Sequence, residues 1–301
     1  MTTIEGDVTF RAGLVQMCSG RDVARNVEVA SQLVREAAGM GAQYVQTPEV
    51  TSFMELDRDA LIAACERQNE NGALKDFQAL GDDLNIWLHI GSMPVRLDHV
   101  SSFNNEHGEQ VACFANRSFL IGPDGKIAAQ YDTIHMFDVA LANGETYFES
   151  RNSRPGEKAV VAATPWGGLG LTICYDLRFP YLHRALAKAG ASMIAVPAAF
   201  TRPTGSAHWH VLLRARAVET QCFVLAAAQC GQHEHGRATY GHSVIISPWG
   251  EVLADGGETP GVVVADIDHR LLKDVRERVP SLRHERNFDV VVQDLADDGV
   301  E

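Results

Sequence analysis

Gly168-Leu169-Gly170-Leu171-Thr172-Ile173-Cys174-Tyr175-Asp176-Leu177-Arg178-Phe179-Pro180 is an apolar, strand-like run that reaches a cysteine and turns at once toward a helix. A thiol at the C-terminal end of a buried strand faces the crevice that forms where strands feed helices. Backbone N–H groups at such a turn can meet a developing oxyanion. A lone cysteine in an apolar strand is equally the pattern of an inert core residue, because free Cys is among the most buried residue types. The sequence on either side has to separate the two readings.

Outward from this stretch, strand and helix patterns alternate. Downstream, residues 181–189 have helical spacing stopped by Gly190, 193–196 read as a strand and 197–205 as a loop. Residues 209–219 then read as helix and 223–228 as a buried strand, with strands at 243–246 and 262–267 around the Pro248-Trp249-Gly250 turn. Upstream, 160–163 is a strand. The first half repeats the rhythm: strand 8–15, a helix capped by Asp22 and stopped by Gly39 and Gly41, and strand 42–47 ending in Pro48-Glu49. Helix 74–84 and strand 86–91 follow, and Gly122-Pro123-Asp124-Gly125 sets a hairpin between 110–121 and 126–131. Residues 132–157 have no clear period and read as a long, site-lining loop. The expected fold is α/β, with two sheets face to face and helices outside.

Composition narrows the function. A chain of 301 residues with 46% hydrophobic and 22% charged residues fits one soluble domain, 1–301, with its core at about 8–289 and an acidic tail at 290–301. No apolar run approaches the roughly 18 residues needed to span a bilayer, so no membrane partner is expected. The acidic start Met1-Thr2-Thr3-Ile4-Glu5-Gly6-Asp7 does not resemble a signal peptide, so a cytoplasmic location is expected. Six cysteines without CxxC spacing argue for reduced thiols over disulfides or a zinc cluster. A net charge of −13 opposes nucleic acid, and the stretch 276–286 reads as a solvated helix end.

Several blocks resemble the nitrilase superfamily of carbon–nitrogen hydrolases: the stretch 171–180, Ala199-Phe200-Thr201 with Thr204-Gly205, His208-Trp209, and Leu212-Leu213-Arg214-Ala215-Arg216-Ala217. Residues 219–222, 228–231 and Tyr240-Gly241-His242-Ser243 are most similar to its deaminated-glutathione amidase branch. The resemblance implies a four-layer α-β-β-α sandwich that dimerises through helices, no cofactor and no metal. It also implies a small-molecule amide substrate and a site of Glu, Lys and Cys with a second Glu. Carried over residue by residue, the base falls on Glu49, the nucleophile on Cys174 and the second carboxylate on Glu149. The lysine does not carry over: where the family reads Tyr-x-Lys-x-His-x-Phe-Asp, this chain has Tyr131-Asp132-Thr133-Ile134-His135-Met136-Phe137-Asp138. Thr133 occupies the lysine position, and Lys126 and Lys158 read as surface residues.

Amide hydrolysis by a thiol needs a proton acceptor for the thiol, a donor to departing ammonia, a base for water and charge stabilisation of two oxyanions. Glu49 can serve both steps. A neutral hydroxyl at 133 replaces an ammonium, and losing one such stabiliser costs on the order of 10²–10³ in turnover. The implied activity is hydrolysis of a carboxylate-bearing amide, of deaminated-glutathione or ω-amide type, impaired at Thr133. Tyr175 is the expected oxyanion donor through its N–H, while Arg178, Phe200 and Thr201 resemble pocket-lining positions. Arg178 suits a substrate carboxylate, because a guanidinium binds it bidentately, or else a structural pairing with Asp176. Three rivals stand beside this reading. One is a Cys174 dyad with His208 or His135. Another is a metal site drawn from His208, His210, His233, His235 and His242. The third is a non-catalytic binding or scaffold protein of the same fold.

Overall fold

The computed structural model describes residues 9–97, 114–141, 144–234 and 236–292. The N-terminal acidic residues, residues 110–113 of the expected strand, Cys113, His235 and the tail beyond 292 lie outside them. The first half runs β1 (Thr9–Gln16), α1 (Val23–Gly39), β2 (Tyr44–Gln46), α2 (Arg58–Ala64), α3 (Gly72–Leu84), β3 (Trp87–Arg96), β4 (Phe114–Ile121) and β5 (Ile127–Asp132). A short hairpin, β6 (Asp138–Ala140) and β7 (Thr146–Phe148), leads to β8 (Val160–Thr164) and β9 (Gly167–Leu171). The second half continues with α4 (Pro180–Lys188), β10 (Ala191–Ala195), α5 (Arg202–Thr220), β11 (Phe223–Ala226), β12 (Cys230–Gln232) and β13 (Ala238–Tyr240). It closes with β14 (Val244–Ile246), β15 (Val252–Asp255), β16 (Gly261–Asp268) and α6 (His269–Arg278).

Two six-stranded sheets result, in the orders β16-β1-β2-β3-β4-β5 and β15-β14-β11-β10-β9-β8. The middle three strands are parallel in each, β1-β2-β3 and β9-β10-β11, and the outer strands are antiparallel. Period-two alternation assigns the faces. In β1, Phe10, Ala12 and Leu14 enter the core shared with Leu169, Leu171, Ile194 and Leu225 of the other sheet. Val15 belongs to a second core, with Ala30, Val34 and Ala37 of α1 and Phe77 of α3. Helices thus cover the outside of a sheet pair, which is the expected α-β-β-α sandwich. The chain's last strand crosses back to join the first sheet, with Thr9 opposite Asp268 and Gln16 opposite Gly261.

Three local expectations need correction. Helix α5 starts at Arg202, inside the expected 197–205 loop, because Pro203 occupies the first turn, where its missing N–H costs no hydrogen bond. The expected loop 132–157 contains the β6–β7 hairpin and a 3₁₀ turn at Glu149–Arg151, elements too short to show a period. Arg276 is not part of a solvated end: its Nη2 donates to the Ala191 carbonyl at 2.8 Å and its Nε to Gln221 at 3.2 Å, tying α6 to the second sheet. No helix among the described residues is long and apolar enough to cross a membrane.

Candidate active site

Parallel strands of both sheets end at one crevice. Strand β9 leads through Thr172 and Ile173 to Cys174, which begins a 3₁₀ turn, Cys174–Arg178, at φ 46°. A non-glycine residue in the left-handed region stores backbone strain, which the surroundings must over-determine. They do so from two sides. The Cys174 N–H donates to the Pro197 carbonyl at the end of β10, at 2.9 Å. Asp176, fully buried, accepts the Ile173 N–H at 3.0 Å, the Tyr131 hydroxyl at 2.6 Å, and the N–H and Nδ1 of His135 at 3.2 and 2.6 Å. The turn holding the cysteine is therefore pinned to the segment that follows β5.

Glu49 arrives from β2 of the other sheet. Its Oε2 accepts the Ala199 N–H at 2.8 Å, and its Oε1 accepts Nδ2 of Asn116 at 2.9 Å. Glu49 and Cys174 line the same cavity, and the carboxylate lies close enough to the thiol to act on it. Close approach of the two sheets here depends on Gly91. A Cβ at that position would lie 2.1 Å from the Thr47 carbonyl oxygen, 2.5 Å from that of Pro48 and 2.5 Å from Pro197 Cβ. Only hydrogen fits between the strand carrying Glu49 and the loop receiving the Cys174 N–H. Val50, at φ 51°, is the strained counterpart on the glutamate side and donates its N–H to Ser92 Oγ at 2.9 Å.

Glu149 completes the cluster from the 3₁₀ turn, accepting the Phe137 N–H at 2.9 Å and sharing Asn116 Nδ2 at 3.3 Å. Burial of its carboxyl end, then the charge of Glu49, pushes its pKa up to about 7. Burial followed by Glu49 likewise raises the Cys174 thiol, so the resting sulfur is protonated. Thr133 is buried, and its Oγ1 lies 3.4 Å from Asp176 Oδ2 and 3.5 Å from the His135 carbonyl, bonding neither glutamate. Among the described residues no cation contacts either glutamate. Lys126 is exposed on Asp124, and Lys158 is exposed.

Above the cluster opens a cavity of about 750 Å³, lined by Glu49, Asn116, Thr133, Glu149, Cys174 and Tyr175, among others. Phe137, Tyr147 and Phe148, from the segment expected as a loop, form part of its wall. The remaining expected positions lie outside this lining. Arg178 stands over the rings of Phe200 and Tyr175, at 5.5 and 5.9 Å, with its guanidinium 3.4 Å from His208 Nδ1 and no pairing to Asp176. Phe200 packs on Trp209, and Thr201 bonds Thr204 at 2.9 Å. His208 therefore meets Arg178, and His135 meets Asp176 and Tyr181. His210 and His242 converge on the two oxygens of Asp255, each at 2.9 Å, at a half-exposed place apart from the cavity, while buried His233 bonds Thr239.

Among the cavity residues that escaped the sequence reading are Asn116 and Arg237. Asn116 had a signal, a carboxamide inside the otherwise buried strand β4. Arg237, at the β12–β13 hairpin, had none, because a loop arginine is ordinarily solvated.

A sandwich in which a strained cysteine and a buried glutamate meet at the ends of parallel strands, one from each sheet, has the layout of a thiol-dependent hydrolase. The family model described as carbon-nitrogen hydrolase matches residues 11–277, and the chain belongs to that family, within the nitrilase superfamily. It is 39% identical over 277 residues to a Synechocystis sp. protein named deaminated glutathione amidase, covering 91% of this chain and 97% of that one. The C. elegans NitFhit protein superposes with a TM-score of 0.80 at 34% identity, over 92% of this chain and 65% of its own. A mutant of the amidase from Nesterenkonia sp. AN1, described as showing Michael addition of acrylamide at its active site cysteine, matches with a TM-score of 0.71 at 26% identity, over 90% of this chain and 98% of that one.

Proposed function

We propose that this chain hydrolyses a small, carboxylate-bearing amide to acid and ammonia, with Cys174 as nucleophile and Glu49 as the proton carrier. The observation that carries this reading is the convergence of Cys174, on its strained turn, and the buried Glu49 carboxylate on one cavity. Because the thiol rests protonated, its proton passes to Glu49 as sulfur attacks the amide carbon. The C–N bond then breaks while Glu49 protonates the departing nitrogen, which leaves a thioester and ammonia. Glu49 next deprotonates water, which adds to the thioester carbon, and the C–S bond breaks as the sulfur recovers its proton. Backbone N–H groups at Tyr175 and its neighbours are suited to the oxyanion. Asn116, which Glu149 also engages, and the Ala199 N–H hold Glu49 in place.

Thr133 makes this chemistry slow, because its hydroxyl serves Asp176 and brings no charge to the glutamates or the oxyanion. The same observation supports a second reading, in which the cavity binds its amide without turnover. The domain is proposed to be single and to form at least a dimer in the cytoplasm. Exposed Val211 and Val218 on α5, with exposed Trp249 beside them, offer an apolar contact face. Ammonia release from a panel of ω-amides and deaminated peptides, read beside the intact mass of the chain, tests the function. Release that Cys174→Ala abolishes supports hydrolysis, binding without release supports the second reading, and failure to bind any amide overturns both.

A further inference from the structure

Arg237 reaches the cavity from the β12–β13 hairpin, following Gly236 at φ 90°. The hairpin is fixed beside the glutamate: the Gly241 N–H bonds the Gln229 carbonyl, and Gln229 Nε2 bonds the Glu49 carbonyl at 2.9 Å. Nη2 of Arg237 donates to the carbonyl of Ala199, the residue whose N–H holds Glu49. The guanidinium carbon stands 5.0 Å from the centre of the Tyr147 ring, a cation–π distance that fixes the planar group. Among the described residues no ion pair joins Arg237 to a carboxylate, and its Nε–H is buried without an acceptor. A buried donor without a partner is unfavourable, so this group is poised for an anion that the protein itself does not supply.

We propose that Arg237 is the specificity-determining residue of the site, receiving the carboxylate of the amide substrate while the amide carbon lies at Cys174. This rests on the proposed amidase reading and assigns to Arg237 the role that the sequence suggests for Arg178. Arg178 is occupied by His208, Tyr175 and Phe200 and does not line the cavity. Arg237 is also the cation whose charge is felt at the Cys174 sulfur, opposing the upward push of burial. A guanidinium there matches a carboxylate in both charge and planar geometry, and turning its Nε edge onto the anion satisfies the orphaned donor.

The test is a binding titration of the full chain in a Cys174→Ala background, where neither ligand is consumed, with glutaramate and the neutral amide pentanamide as probes. The expected result is a preference for glutaramate of at least about tenfold, abolished by Arg237→Gln and partly kept by Arg237→Lys. A residue that only supports the fold would weaken both probes alike and leave their ratio unchanged. The proposal is overturned if the ratio survives Arg237→Gln, if the chain shows no preference, or if neither probe binds at millimolar concentration. Thermal melting of both variants identifies a folding defect, and an unfolded Arg237→Gln leaves the decision to Arg237→Lys. A preference that depends on Arg237, in a chain that never releases ammonia even as Thr133→Lys, would sink hydrolysis and leave the anion site standing.

Discussion

Thr133 Oγ1 lies 3.4 Å from Asp176 Oδ2, so the residue at the family's lysine position faces the scaffold of the cysteine turn. Glu49 and Glu149 share one side-chain donor, Nδ2 of Asn116, beside the backbone N–H groups of Ala199 and Phe137. Among the described residues the site then holds two carboxyl groups, a protonated thiol and the Arg237 guanidinium, with no ammonium between the glutamates.

Asp176 joins the Cys174 turn to Tyr131 and His135 through four hydrogen bonds of 3.2 Å or less. Removing a buried, fully bonded carboxylate strands its donors, so Asp176→Ala should lose about 3–5 kcal/mol in urea unfolding. Asp176→Asn, which keeps acceptor capacity, should lose less. Equal, small losses would mean that the turn is held elsewhere.

Gly91→Ala places a methyl group against two backbone carbonyl oxygens and Pro197, none of which can turn away as a flexible side chain would. The expected cost is about 1–3 kcal/mol or more, with Glu49 displaced from Cys174. Slower alkylation or acylation of Cys174 in the folded variant would register the displacement, and wild-type stability would contradict the packing described.

Arg178→Ala removes a guanidinium stacked on Phe200 and Tyr175, at a cost of about 0.5–1 kcal/mol. The preference for carboxylate-bearing ligands should persist. A tenfold loss of that preference would return Arg178 to the site.

Glu149 carries a folded pKa of about 7 against an ordinary 4.5. The folded state therefore holds the proton more tightly between those values, and the group's stabilisation is complete below the ordinary pKa and lost as pH rises through about 7. The urea midpoint of the parent should fall from about pH 5 to about pH 8 more steeply than that of Glu149→Gln. Parallel curves would place Glu149 in a solvated setting.

The parts legible in the sequence were those encoded locally. The hairpin at 122–125 follows from its turn residues, and Gly125 adopts φ 71° there. The cysteine turn and the strand ending in Glu49 are marked by an apolar run broken at a polar residue. Arg237, Gly91 and the pairing of β16 with β1 depend on segments far apart in the chain. Nothing in Gly91's neighbours announces that Thr47 and Pro197 will meet over it. Arg178 stands four residues from Cys174, but the 3₁₀ turn carries its side chain onto Phe200, Tyr175 and His208, outside the cavity lining. Adjacency in sequence does not give direction.

The most direct test compares ammonia release from a carboxylate-bearing ω-amide by this chain and by Thr133→Lys, with Cys174→Ala controls and intact-mass detection of an adduct on Cys174. Thr133→Lys should release ammonia on the order of 10²–10³ times faster, the parent should stall or accumulate acyl-Cys174, and both should be silent without the thiol. Equal rates in parent and Thr133→Lys, or release that survives Cys174→Ala, would contradict the account.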